Sequence, residues 1–190
     1  MENKELNSRD IAGYLPYDFY VIEQGSVSRV IEYHHKTRLR VKWLKTGITT
    51  HTGLKYIKPV LRPLSDLYRT IVHNGEEITP IVNLAKMAYP DYDWKINKKM
   101  AVRDIIHEER TEKEWTERVL FGYTGAHTYF AKTEKNYRYF YAVHCYDNIE
   151  YIPDQVQLFD YLHELKIDYR GLIDAGLAID CNTLEINPYK

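Results

Sequence analysis

Residues 37–44, TRLRVKWL, alternate without a break: Leu39, Val41 and Trp43 fall on one side of an extended chain, Arg38, Arg40 and Lys42 on the other. A period of two marks a half-buried antiparallel strand, apolar side inward and charged side to water. Such a strand needs partners. DFYVIE (18–23) and SVSRVIEYH (26–34) supply two, set off by Gln24-Gly25-Ser26 and by His34-His35-Lys36. The small polar residues of 45–53, around Gly47 and Gly53, read as a turn or loop.

Helical spacing brackets this sheet. A short helix opens the chain, capped by Ser8, with Ile11, Tyr14 and Leu15 on its apolar face and Pro16 at its end. Pro59 and Pro63 argue against a central strand through 54–69, because proline cannot donate to a ladder. Pro63 suits the first turn of a short helix at 63–70 carrying Leu64 and Leu67. Asn74-Gly75 between apolar flanks is a hairpin signal. Thr79-Pro80 reads as a cap with proline at the first position of a helix over 80–89. Ile81, Leu84, Ala85 and Ala88 form its inner face, and Pro90 stops it.

Val102, Ile105 and Ile106 have helical spacing, and Thr111 with Glu114 suits a capping box for a second short helix carrying Trp115. Residues 117–123, 127–133 and 137–146 then read as a meander of three strands. Asp154 and Gln157 form a further capping box ahead of the stripe Leu158, Phe159, Leu162 and Leu165. Gly171, Gly176 and the final Asn-Pro break the rest of the chain into short pieces. The expectation is α+β: an N-terminal antiparallel sheet with short helices, then a β-meander and C-terminal helices. It forms a single domain over 1–190 with a subdomain seam near 90–98.

Charge is segregated. The formal net charge is −1 over 190 residues. Residues 29–62 nevertheless hold nine cations against Glu32 alone, and residues 144–190 hold three cations against nine acids. The cations of 37–44 share one strand face, about 6–7 Å apart, a spacing close to that of phosphates along one nucleic-acid strand. Lys36, Arg38, Arg40, Lys42, Lys45, Lys55 and Lys58 are therefore the candidate anion-binding residues, with Tyr33 and Tyr56 available for stacking. Three readings fit the block: a face that is solvated or edge-guarding, or that pairs with the acidic segment in one chain or across a homo-oligomer; a nucleic-acid or other anion site; or a site for an acidic protein. The 18 tyrosines suit sheet surfaces and equally suit a recognition surface, so a host-protein partner is a further reading.

Chemistry-bearing motifs are sparse. His144 and Cys145 are adjacent on a strand, so they point to opposite faces and cannot form a nucleophile–base pair. Asp104, His107 and Glu108 share a helical face with Arg103 and Arg110 close by, which reads as local ion pairing. Glu32 with His34, and His73 with Glu76, read as surface pairs. No HExxH, paired-cysteine, GxGxxG, P-loop or GxSxG pattern occurs. The expectation is no catalytic residue, no metal and no cofactor, with enzymatic activity left open to scattered residues. Two cysteines outside any CxxC suit a reducing cytoplasm. The opening MENKELNSRD lacks a signal-peptide core, and no run of about 18 apolar residues crosses a membrane.

Three blocks resemble small hypothetical proteins of phages and prophages of gut Bacteroidales: DIAGYLPYDFYV at 10–21, LRPLSDL at 61–67, and QLFDYLHELKIDYRGLIDAGLAID with the closing NPYK within 157–190. That family has no assigned activity, so no residue role carries over. The resemblance implies context: a phage-type accessory protein in a bacterial host cytoplasm, serving replication, host takeover or counter-defence.

Overall fold

The computed structural model describes residues 5–34, 37–90, 109–112, 115–123, 126–132, 138–144 and 150–190. In chain order the elements are α1 (Ser8–Ile11), β1 (Tyr20–Glu23), β2 (Ser26–His34), β3 (Arg38–Trp43), β4 (Thr49–Gly53) and β5 (Ile57–Leu61). Next come the hairpin strands β6 (Ile71–His73) and β7 (Glu76–Ile78), then α2 (Pro80–Ala88). They are followed by β8 (Glu109–Glu112), β9 (Trp115–Tyr123), β10 (Ala126–Lys132), β11 (Arg138–His144) and β12 (Glu150–Tyr151). The chain closes with α3 (Gln155–Glu164) and β13 (Ile179–Asp180). The fold is α+β. It divides into two compact units, one of Met1–Leu67, Ile71–Ile78 and Leu162–Lys190, the other of Tyr68–Thr70 and Thr79–Tyr161. The seam expected near 90–98 lies, beyond Pro90, outside the described residues.

The first unit is built on a six-stranded sheet in the order β13-β5-β1-β2-β3-β4. Every pairing is antiparallel except β13 with β5, which is parallel. The alternation of 37–44 does what it requires: Leu39 and Val41 are fully buried while Arg38 and Lys42 are exposed. Val21, Val60, Leu61, Ile11, Tyr14 and Phe19 complete this core, with Tyr14 and Phe19 stacked at 5.7 Å. Each such buried side chain contributes roughly 1.5–3 kcal/mol of transfer free energy.

Four local expectations are corrected here. Asn7, not Ser8, caps α1: its side chain accepts from the Arg9 N–H, and Asp10 answers through the Asn7 N–H. Residues 49–53 are not loop but strand β4, because Thr-Thr-His-Thr carries β-branched residues that pair in register with β3 (Val41↔Thr50, Leu39↔Thr52). Pro59 does sit in a strand flanked on both sides. β13 covers only Val60 and Leu61, so the ladder on that side stops short of Pro59 and loses no partner there. Lastly, Thr111 belongs to β8 and Trp115 opens β9; the pair is a hairpin (Thr111↔Thr116, Glu112↔Trp115), and cross-strand bonding takes the place of a helix cap.

Other expectations hold. Asn74 and Gly75 take φ of 52° and 81°, the left-handed values that a tight two-residue hairpin turn demands. Pro80 opens α2 with Thr79 at the cap position, though the Thr79 side chain makes no capping hydrogen bond, and Ile81, Leu84, Ala85 and Ala88 are buried. The second unit carries the meander, order β12-β11-β10-β9-β8. Asp154 caps α3 by accepting from the Gln157 N–H at 3.1 Å.

The C-terminal segment does more than break into short pieces. Within the first unit, Ile167 bridges Arg62 in parallel and β13 extends the main sheet past β5. Arg62 is 2% exposed and donates to the carbonyls of Val72 and Tyr189, with Asp66 at 4.0 Å. One charge of the basic block is therefore structural.

Candidate anion-binding face

β3 lies between β2 and β4, so its cations do not guard an edge; the edge strand is β4. The ladders align the outward side chains in rows: Arg29↔Lys42↔Thr49, Glu32↔Arg40↔His51, and His34↔Arg38↔Gly53. Arg38, Arg40 and Lys42 thus share one face with Arg29. Of the other sequence candidates, Lys45 is exposed in the turn after β3 and Lys55 is exposed just beyond β4. Lys58, opposite Ile22, is on the same face but three strands away, roughly 14 Å across the sheet. Lys36 lies outside the described residues.

The face is partly neutralised. Glu32 accepts from Arg40 at 3.3 Å and meets His34 Nε2 at 2.7 Å. The His34 hydrogen bond, then Arg40, holds the Glu32 carboxyl below its ordinary value. Arg29 pairs with Asp18. Among the described residues no side-chain hydrogen bond or ion pair engages Arg38 or Lys42. Nor, among the described residues of the first unit, does any ion pair join a cation of 29–62 to an acid of 144–190. Instead Glu164 pairs with His73 at 3.0 Å, Asp168 accepts from the Leu172 and Ile173 N–H groups, and Asp180 caps the turn at Asn182.

At its Arg38 end the face opens into a cleft of about 1250 Å³ between residues 5–8 and β4. Arg38, Lys55 and Tyr56 stand exposed on the rim, and Tyr56 is 63% exposed. Lys55 Nζ sits 4.8 Å from the Tyr56 ring centroid, and the Tyr56 side chain beside it raises the ammonium above its ordinary pKa. The buried floor includes Thr52 and Glu23, whose Oε2 accepts from Trp43 Nε1–H at 2.8 Å. Sequence reasoning missed this cleft because 45–53 reads as loop. The threonine alternation there is the one signal that points to β4, and nothing in the sequence links β4 to residues 5–8.

The remaining candidate chemistry resolves in part. Asp104, His107, Glu108 and Cys145 lie outside the described residues. His73 pairs with Glu164, although Glu76 is its register partner. Cys181 is a free, buried thiol pushed up to about 11 by burial, which disfavours the nucleophilic thiolate. Among the described residues no group of three His, Cys, Asp or Glu is placed to hold a metal, and no helix is long and apolar enough to cross a membrane. Comparison with protein-family models, with curated proteins and with solved structures finds no match to this chain.

Proposed function

We propose that this chain is a non-enzymatic binding module whose outer β2–β3–β4 face holds an anionic partner, with nucleic acid the partner that the face suits best. One observation carries the reading: Arg38 and Lys42 are exposed on a flanked strand, on one face, without an acidic partner among the described residues. Among the described residues their cations are neither edge guards nor halves of an ion pair. Side chains two residues apart on a strand recur at about 6–7 Å, a step that a phosphodiester backbone can follow. The phage-type accessory setting and the bacterial cytoplasm implied by the sequence resemblance belong to the same proposal, as does an acidic protein surface if nucleic acid fails.

Fluorescence anisotropy with labelled single-stranded DNA and RNA across a salt series tests it. Three to four phosphate contacts give a slope of log K against log salt of roughly −2 to −3 for a single strand. The triple variant R38E/R40E/K42E abolishes binding at low salt. Absence of binding by the unmodified protein at low salt, or binding unchanged in the triple variant, sinks the nucleic-acid reading.

A further inference from the structure

We infer that the cleft beside β4 receives a base of a single-stranded nucleic acid whose phosphates run along β3. This rests on the reading of the basic face just given and specifies what lies at its end. The cleft is chemically two-sided. Its rim carries the cations Arg38 and Lys55, which call for an anion. Its buried lining includes the Glu23 carboxylate and the Thr52 hydroxyl, and Glu5 adds a second, exposed carboxylate. A phosphate or an acidic side chain placed deep in the cleft would face Glu23. A neutral group bearing N–H donors would instead find an acceptor there, since Trp43 engages only Oε2 of that carboxylate.

A nucleotide divides its chemistry in the same way. Its phosphate is anionic and its base is neutral, flat and lined with donors and acceptors. Tyr56, 63% exposed on the rim, offers a ring for the base, with a lysine ammonium already 4.8 Å away to meet the phosphate. Arg38 belongs to both the face and the cleft, so a strand that follows Lys42, Arg40 and Arg38 reaches the cleft at its next step. An acidic peptide shares the affinity for the rim but not for the floor, which favours nucleic acid between the two.

The test compares a single-stranded oligonucleotide with an abasic oligonucleotide of equal length and phosphate number. The unmodified protein binds the base-bearing strand roughly ten-fold more tightly, the scale of one base–aromatic stack. Tyr56→Ala removes that preference, so that both strands bind alike, while Tyr56→Phe keeps it. Equal affinity for both strands, or a preference that survives Tyr56→Ala, overturns the base site and leaves the basic-face reading standing. Loss of binding to both strands in the unmodified protein overturns the face reading itself. Tyr56 is a surface side chain, and a circular dichroism spectrum matching that of the unmodified protein confirms that the variants fold.

Discussion

Gln155 pairs through its side chain with both main-chain groups of Phe140: the Phe140 N–H donates to Oε1 at 2.7 Å, and Nε2 donates to the Phe140 carbonyl at 2.8 Å. The same Nε2 also reaches the Pro153 carbonyl at 2.8 Å. β12 pairs with β11 at Ala142 and Val143, so the amide takes up the main chain of Phe140, two residues beyond the last pair. Phe140 is fully buried, so its main chain has no water to turn to. Gln155→Ala should cost about 2 kcal/mol, the order expected when buried polar groups lose their partner. Gln155→Glu keeps the acceptor but sets a carboxylate against two carbonyls, and should cost at least as much. Urea unfolding of the two variants measures both; a Gln155→Ala cost below about 0.5 kcal/mol would show that the pairing is incidental.

Gly13 and His163 make a steric prediction. A Cβ built on Gly13 would lie 2.3 Å from the His163 Cε1 and Nε2 atoms. The ring has little room to yield, since Nε2 is 2.9 Å from the Tyr169 hydroxyl and Tyr14 meets it edge-on at 5.1 Å. Gly13→Ala should destabilise by about 1–3 kcal/mol through overpacking. In the double variant with His163→Ala the methyl gains space, so the two costs should be sub-additive by at least ~1 kcal/mol. Additive costs would refute the clash.

How far these features are legible without coordinates depends on how local they are. The Asn74-Gly75 hairpin, the Thr79-Pro80 start of α2, the Asp154 cap and the alternation of β3 are each written within a few consecutive residues, and each is found where the residues put it. β4 is hidden because Thr-Thr-His-Thr has the extended propensity of a strand but no apolar face to announce it. Pro59 misleads because the prohibition on proline concerns ladder partners, and which side of β5 lacks one depends on where β13 ends, some 120 residues later. The basic face is legible in β3 alone. That Glu32 is occupied by Arg40 and His34, and that Arg62 is buried, are contacts between elements and carry no local mark.

The Glu32 contacts set a prediction for binding. Glu32 is the sole acid on the outward rows of β2, β3 and β4, and it holds Arg40 at 3.3 Å. Glu32→Gln frees the guanidinium and removes a repulsive charge from the path of a polyanion. Affinity for single-stranded DNA should rise about three- to ten-fold at low salt, and the salt slope should steepen by up to about one phosphate equivalent. Anisotropy titrations read both quantities. An unchanged affinity would mean that Arg40 takes no part in binding.

Stability in alkali turns on Lys166, which has φ of 59° and is 5% exposed. Its Nζ donates to the Glu164 carbonyl and lies 5.3 and 5.6 Å from the ring centroids of Tyr17 and Tyr189. Burial lowers its pKa to about 8. The unfolded chain therefore holds this proton to higher pH than the folded one does, so stability rises as pH climbs from about 8 towards the ordinary lysine value. The Cys181 thiol, pushed up to about 11, and the Tyr14 and Tyr189 hydroxyls, raised chiefly by burial, act in the opposite sense. They lose stability as pH passes their ordinary values and the unfolded groups ionise. The expected profile rises between pH 8 and 9 and falls above about 10. Lys166→Met should flatten the rise and leave the fall, as denaturation midpoints at half-unit pH intervals would show. A rise that persists in the methionine variant assigns the effect to another group.

Tyr189 ties the end of the chain to the main sheet. Its hydroxyl donates to the Val60 carbonyl at 2.7 Å and accepts from the Tyr20 N–H at 3.4 Å, so it stands in the ladder between β5 and β1 just beyond their last pair, Val21↔Pro59. Its carbonyl accepts from Arg62 at 2.9 Å, and its ring lies 5.6 Å from that guanidinium. Tyr189→Phe keeps the ring and the Arg62 contacts but strands the Val60 carbonyl and the Tyr20 N–H, which should cost about 1–3 kcal/mol. Removing residues 189–190 should cost more, because the buried Arg62 then loses an acceptor as well. For the same reason, deleting the acidic C-terminal segment would not isolate the role of its charge: β13 and Tyr189 leave with it, and the sheet that carries the basic face loses its far edge. Neutralising Asp174 and Glu185 by Asp174→Asn and Glu185→Gln avoids this, since neither takes part in the cap, ion-pair and ladder contacts that fix the segment. That double variant should unfold at the same urea concentration as the unmodified protein and bind single-stranded DNA no more than about two-fold more tightly. A larger gain would show that the acidic segment shields the basic face despite making no ion pair with it among the described residues of the first unit.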